Sequence, residues 1–233
     1  MILCHRHKFI FFKTRKTAGT SVEIALSRLC DGADIVTCLA PEDEARRCCE
    51  GGRQGNNPPR KAEHYSWRDW LNTACLRNVR PAFENHTPAA DAMRQLPPEL
   101  WDSYLKITIE RNPWDRIISQ YWWEKARRPC ISSISEMLKK YRWGRQHRLS
   151  NWGIYSVGER IVADHVLSYE NLSDDLAALG RRLGVKDLQM PAGRAKGNTR
   201  QDKRHYREVL TDEDAEIISK LCAREIAAFG YSY

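Results

Sequence analysis

The sequence predicts an α/β fold: a three-layer sandwich in which helices cover both faces of a central parallel sheet. Three observations predict it. Phe9-Ile10-Phe11-Phe12 is an unbroken apolar run, the pattern of a parallel strand buried on both faces. A basic, small-residue loop follows. From Gly19 the apolar period becomes helical, with Val22, Ala25, Leu26 and Leu29 on one face. The same strand–loop–helix order returns from Tyr104, and such alternation builds parallel sheets.

Each element has its own signal. Lys13 to Thr20 forms a loop aimed at a helix N-terminus, where unsatisfied N–H groups and the helix dipole favour anions. In the second unit Leu105, Ile107 and Ile109 alternate with Lys106, Thr108 and Glu110. Asn112 then reads as an N-cap, Pro113 as the first helical residue, and Asp115 as a first-turn charge suited to the dipole. That helix runs on through Ile117, Ile118, Tyr121 and Trp122. A third strand is expected over Ile161–Tyr169, then a helix from an N-cap at Ser173 to Leu183, with Gly184 just beyond it. A single last helix starts at Thr211, with Asp214 completing a capping box. Its buried stripe is Ile217, Ile218, Leu221, Ile226 and Phe229, and Gly230 ends it.

Residues 31–100 break the rhythm. Gly51 to Pro59 is a loop, His64 to Arg77 suggests a short helix, and another helix holds Met93 and Leu96. Ligands of open α/β sheets bind beyond the strand C-termini, so this stretch is expected to form part of a site wall or lid within one domain spanning 1–233.

The chain has 233 residues, 42% hydrophobic and 29% charged, which suits one ordinary globular domain. No stretch approaches the ~20 apolar residues that span a bilayer, and Phe9–Phe12 is too short for a secretory core. A cytoplasmic protein is expected. The eight cysteines, at 4, 30, 38, 48, 49, 75, 130 and 222, show no C-x-x-C pair and read as core thiols, with no metal site. Two sequons, at Asn85 and Asn171, matter only outside the cell. The net charge of +8 favours an anionic ligand without saying which.

The loop decides more. A nucleoside-triphosphatase loop places lysine after its second glycine, whereas here lysine leads: Lys16-Thr17-Ala18-Gly19-Thr20-Ser21. No apolar strand ends in an aspartate suited to Mg²⁺, as a kinase would need. The loop keeps an anion cradle without metal apparatus.

These residues resemble the 5′-phosphosulfate loop of the sulfotransferase family, which uses 3′-phosphoadenosine 5′-phosphosulfate (PAPS) as donor. Arg111-Asn112-Pro113-Trp114-Asp115-Arg116-Ile117-Ile118-Ser119 is similar to the family's 3′-phosphate motif, with the serine eight residues after the arginine. Tyr169-Glu170-Asn171-Leu172 and the C-terminal Phe-Gly-Tyr also resemble family segments. The resemblance is to carbohydrate-type and bacterial family members. It implies a P-loop-like sulfotransferase fold, PAPS as donor, 3′-phosphoadenosine 5′-phosphate (PAP) as product, and no metal. The implied donor contacts are Arg15, Lys16, Thr17, Ala18, Gly19, Thr20, Ser21, Arg111 and Ser119, joined by Lys196 and Thr199 of a C-terminal loop. In physical terms, amides over Thr17–Ser21 cradle the 5′-phosphate, Lys16 meets charge on the bridging oxygen, and Arg111 offers a bidentate fork. The family usually has proline before the loop lysine. Arg15 stands there instead, and whether Arg15 or Lys13 grips the donor or faces solvent stays open.

Sulfuryl transfer to a hydroxyl needs a base of near-neutral pKa. His86, in Phe83-Glu84-Asn85-His86-Thr87-Pro88, ends an extended run between the two donor motifs, where carbohydrate-type members of the family carry their catalytic histidine. Glu84 is the alternative. His5, His7, His147, His165 and His205 read as surface or sheet residues. The acceptor is a carbohydrate, lipid or other small hydroxyl compound, and Trp67, Trp70, Trp123, Trp143 and Trp152 are candidate wall residues. Two other classes compete: a kinase on a related loop fold, and a non-enzymatic nucleic-acid or acidic-glycan module using Trp122-Trp123, Arg127-Arg128 and the Arg142–Arg148 run. No obligatory nucleic acid is expected.

Overall fold

A computed structural model describes residues 1–76, 80–142, 148–191 and 200–233. In chain order the elements are β1 (Ile2–Cys4), β2 (Phe9–Phe12), α1 (Gly19–Ser27), β3 (Ile35–Val36), α2 (Pro41–Cys49), α3 (Trp67–Leu76), α4 (Ala89–Gln95) and α5 (Pro98–Ser103). Then come β4 (Leu105–Glu110), α6 (Pro113–Arg127), α7 (Ile134–Arg142), α8 (Trp152–Tyr155), β5 (Ser156–Val157), β6 (Arg160–Ile161) and β7 (His165–Ser168). The chain ends with α9 (Leu172–Arg182), α10 (Tyr206–Val209), α11 (Asp212–Leu221) and α12 (Ala223–Phe229). Among the described residues no helix is long and apolar enough to cross a membrane.

Five strands form the central sheet in the order β3-β1-β2-β4-β7. β2, β4 and β7 run parallel, with Phe11 opposite Ile107 and Ile107 opposite His165. β1 runs antiparallel to both β2 and β3, so the sheet is mixed, where sequence predicted a parallel one. The reason is length: only residues 5–8 join β1 to β2, and a parallel crossover needs about a dozen.

Alternation along the strands divides the core. Ile2, Cys4, Phe9, Phe11, Ile107, Ile109 and Leu167 pack with Val22 and Leu26 of α1 and Leu176 and Leu179 of α9. Leu3, Ile10 and Phe12 point the other way, onto Ala89, Ala92, Leu96 and Trp101. The four side chains of β2 are fully buried, each contributing roughly 2 kcal/mol. A third cluster joins α6 to α7 and α11 through Ile117, Tyr121, Leu138 and Ile218.

Three other boundaries differ from expectation. Only His165–Ser168 of the stretch 161–169 enters the main sheet. Ile161 pairs with Ser156 in a separate hairpin, turned by Gly158 at φ +60°. The α9 helix starts at Leu172 after Asn171, and Asp175 instead of a Ser173 cap receives the Ser168 N–H at 2.7 Å. The last helix is two: Thr211 caps α11 through the Asp214 N–H at 3.1 Å, but Asp214 Oδ2 turns to Ser135 Oγ and closes no capping box. The break at Cys222 redirects the chain so that Glu225 of α12 is buried and accepts from Ser150 Oγ and the Asn151 N–H.

Candidate active site

The loop after β2 is built by contacts with β4. Thr14 Oγ1 donates to Ile109 O at 2.5 Å and lies 2.7 Å from Thr17 Oγ1, so Thr17 knits the loop from inside. Lys16 and Ala18 both hold left-handed backbone, φ +60° and +59°, at roughly 1–2 kcal/mol each for residues bearing a Cβ. Gly19 is required by space: a Cβ there would stand 2.9 Å from Lys13 Cγ and 3.2 Å from Thr14 O. The α1 N-terminus has no side-chain cap, and Ala18, Gly19, Thr20 and Ser21 line a cleft of about 1240 Å³.

The second motif meets the first in that cleft. Arg111 Nη1 donates to Lys16 O at 2.8 Å, across 95 residues of sequence. Its Nε donates to Asp115 Oδ2 at 2.9 Å, Nη2 bonds the same oxygen, and its plane lies 3.9 Å from the Tyr169 ring centre. The fork edge reserved for a phosphate in the sequence reading is thus occupied by Asp115, which also accepts from Arg200 Nη1 at 2.5 Å. Against the burial that opposes ionisation, these two arginines hold the Asp115 carboxyl below the usual range. The Asn112 N-cap is as predicted, accepting from Trp114 N at 3.1 Å and Asp115 N at 3.2 Å. Ser119 lines the same cleft.

His86 also lines it. Its Nδ1 lies 2.8 Å from Lys13 O; a carbonyl only accepts, so Nδ1 carries the proton and Nε2 keeps its lone pair. Burial lowers its pKa to about 3, opposed by this hydrogen bond and aided by the Arg15 and Lys13 charges, so the imidazole is neutral. Glu84 instead lines a second cavity of about 450 Å³ with Arg60, His64 and Asp69. Lys13 Nζ pairs with the buried Glu23 Oε2 at 2.7 Å. Although burial opposes it, Lys13, the Met1 amine and Arg47 lower the Glu23 pKa to about 2.

Arg15 projects into the cleft, while Asn151 grips its backbone: Arg15 N donates to Asn151 Oδ1 at 3.0 Å and Asn151 Nδ2 donates to Arg15 O at 3.1 Å. Sequence reasoning missed Asn151, Asp115 as the partner of Arg111, and Glu23; only Asp115, one turn from Arg111, carried a local signal. Of the proposed wall aromatics, Trp123 lines the cleft with Lys16 Nζ 5.6 Å from its ring centre. Trp67 and Trp70 stand exposed on α3, and Trp152 is buried with Nε1 donating to Gly158 O at 2.9 Å. Lys196, Thr199, Trp143 and His147 lie outside the described residues. At the opposite end of the sheet, ligand atoms of Cys4, Cys30 and Asp34 gather within 4.8 Å. Each has an ordinary partner: Leu29 O, Leu26 O and the His5 and Asp31 N–H groups respectively.

The family model described as "Sulfotransferase family" matches residues 1–154, a span holding the loop, His86, Arg111 and Ser119. The chain belongs to the sulfotransferase family. It is also similar to a protein of unassigned function from Archaeoglobus fulgidus, 27% identical over 101 residues, with 38% of this chain and 75% of that one covered. No solved structure matches. As a sulfotransferase-family member, the chain carries both sequence motifs on one cleft, with a neutral histidine on the same wall.

Proposed function

We propose that this protein moves a sulfuryl group from PAPS to an acceptor hydroxyl, releasing PAP. The observation that carries the reading is the Arg111–Lys16 hydrogen bond, which joins two anion-binding segments at one cleft. The residues suit the donor's charge. An uncapped helix N-terminus supplies N–H groups at Ala18 to Thr20, the Ser21 N–H being donated to Ala18 O at 2.9 Å, and Thr20 adds a hydroxyl. Asp115 occupies one edge of Arg111, so the 3′-phosphate takes the guanidinium hydrogens that remain, together with Ser119.

His86 then accepts the acceptor's hydroxyl proton at Nε2 while that oxygen attacks sulfur. Lys16 meets the negative charge that grows on the departing phosphate oxygen as the S–O bond breaks, the kind of fixed electrostatic contribution worth about 3–4 kcal/mol. A base with a pKa of about 3 is weak, but the arrival of an anionic donor raises it toward the working range. The 31–100 segment contributes Leu39, Ala40, Asn85 and His86 to the wall of the cleft.

The test is thermal shift with PAP, without metal, against ATP with Mg²⁺. At 100 Kd, PAP stabilises by about 2.7 kcal/mol, which for this size moves Tm by roughly 5–10 °C. Arg111→Ala abolishes the shift. A larger response to ATP with Mg²⁺, or salt-sensitive RNA binding with no nucleotide preference, overturns the reading.

A further inference from the structure

The end of the sheet opposite the cleft carries a cluster that sulfuryl transfer leaves unused. Cys4 closes β1, Cys30 lies just after α1 and Asp34 just before β3, and one ligand atom of each lies within 4.8 Å of the other two. Their spacing in sequence shows no paired motif; the packing of α1 and β3 beside β1 brings them together. Cys4 and Asp34 are fully buried, whereas Cys30 is half-buried and gives the cluster a side open to solvent.

The carboxylate is already oriented. Asp34 Oδ1 accepts the His5 N–H at 2.7 Å and Oδ2 accepts the Asp31 N–H at 2.8 Å, which fixes its plane and leaves each oxygen a further lone pair. The thiols make long contacts, Cys4 Sγ at 3.6 Å from Leu29 O and Cys30 Sγ at 3.7 Å from Leu26 O. Such S–H donors are weak, so little is lost when a metal takes the place of the proton.

We propose that Cys4, Cys30 and Asp34 form a structural site for one divalent ion of the zinc class. Around tetrahedral zinc, with sulfur at ~2.3 Å and oxygen at ~2.0 Å, ligand atoms stand roughly 3.5–3.8 Å apart, so the triangle closes by at most about 1.3 Å. Two thiolates favour zinc over the hard ions magnesium and calcium. On binding, each thiol releases its proton to solvent, Asp34 enters as its carboxylate, and water fills the fourth position on the Cys30 side. The neighbouring Cys30 thiol, with the His7 N–H and against burial, already holds the Cys4 thiol below its usual range. The ion ties the end of β1, the end of α1 and the entry to β3 to one another. It takes no part in sulfuryl transfer, and the inference stands independently of the PAPS reading.

The test titrates Co²⁺, then Zn²⁺, into the full chain after reduction with a phosphine and stripping with EDTA. One equivalent of Co²⁺ is expected to develop thiolate-to-cobalt charge transfer with the intense d–d bands of tetrahedral cobalt, and Zn²⁺ to abolish both. Cys30→Ser should remove about half of the charge transfer, one thiolate of two, and weaken Co²⁺ binding by at least about tenfold. Asp34→Asn should keep the charge transfer and weaken binding. Zn²⁺ at about 100 Kd should raise the wild-type Tm by roughly 5–10 °C and leave that of Cys30→Ser unmoved. The double variant Cys48→Ser/Cys49→Ser, which removes two exposed thiols of α2, should behave as wild type. Cys30, being half-buried, is the thiol whose replacement is tolerated best, and circular dichroism without metal shows that the variant is folded. Reduced wild type that gives no charge transfer overturns the proposal, as does a signal that follows Cys48 and Cys49. A Cys4–Cys30 disulfide in protein as isolated, with no cobalt spectrum after reduction, assigns the pair to redox chemistry and overturns it too.

Discussion

The two flanks of the cleft are held in opposite ways. On the Arg111 flank each charge has a partner: Arg111 and Arg200 share Asp115, Tyr169 stacks on Arg111, and the Arg111 N–H reaches Glu110 at 2.9 Å. On the His86 flank the imidazole is neutral, and among the described residues neither its Nε2 nor the Arg15 guanidinium has a hydrogen-bond partner, while the Arg15 backbone is held by Asn151. The first flank is organised before any ligand arrives, at a folding cost already met. The second is completed by what binds. Under the function proposed above, the division suits a site that holds a nucleotide on one flank and takes an acceptor on the other: rigidity where the ligand is constant, openness where choice is made.

The largest expected effect separates chemistry from binding on these flanks. His86→Ala should lower transfer about 10²–10⁴-fold while PAP affinity stays within about threefold. Because burial keeps the His86 pKa near 3 before the donor binds, kcat/KM for PAPS, which reports the free enzyme, should show no His86 inflection between about pH 5 and 8. Full turnover in His86→Ala would remove its role. A kcat/KM for PAPS that falls through an apparent pKa near 6.5 on acidification would show that the imidazole of the free enzyme is not held neutral.

A smaller effect concerns what holds the loop. Glu23 is fully buried in α1 and meets Lys13, Arg47 at 3.2 Å and the Met1 amine at 3.5 Å. Its folded pKa, about 2, lies below the ordinary value of 4.5. A depressed carboxyl stabilises the fold above its unfolded pKa, and the contribution disappears as pH falls through the folded one. The loss therefore lies between about pH 4.5 and 2 and amounts to about 3 kcal/mol. Glu23→Gln should cost a similar amount at pH 7, read by urea denaturation, and its stability should vary less over that acid window. A cost below about 1 kcal/mol would show that the network is solvated and does not brace the loop.

Which parts of this were legible in sequence follows from how local they are. The runs 9–21 and 104–119 could be read because a strand, a turn and a helix start each announce themselves within a few residues. Asn112 capping α6 is one instance. β1 was not legible, since its turn into β2 uses left-handed Lys8 at φ +50° instead of a glycine or asparagine. The partners that decide the site's electrostatics are remote: Asn151 lies 136 residues from Arg15, and Arg200 lies 85 from Asp115. No periodicity or motif encodes such pairs, which exist only once the sheet, α6 and α12 have packed. The same holds for the last helix, whose apolar stripe continues past Cys222 although the burial of Glu225 requires a break.

The smallest effect contrasts two tryptophans that sequence alone could not separate. Trp123 lines the cleft between Lys16 and Arg127, whose guanidinium lies 3.9 Å from the ring centre. Such cation–π contacts contribute about 0.5–1 kcal/mol at partly exposed sites. Trp123→Leu should therefore cost about threefold in kcat/KM, by removing the ring beside the Lys16 ammonium. Trp67 is 67% exposed and lines neither cavity. Trp67→Ser should change stability by less than about 0.5 kcal/mol and leave transfer to a small acceptor unaltered. If instead Trp67→Ser raises the acceptor KM while Trp123→Leu does nothing, the acceptor lies over α3 and the His86 flank is not where selection occurs.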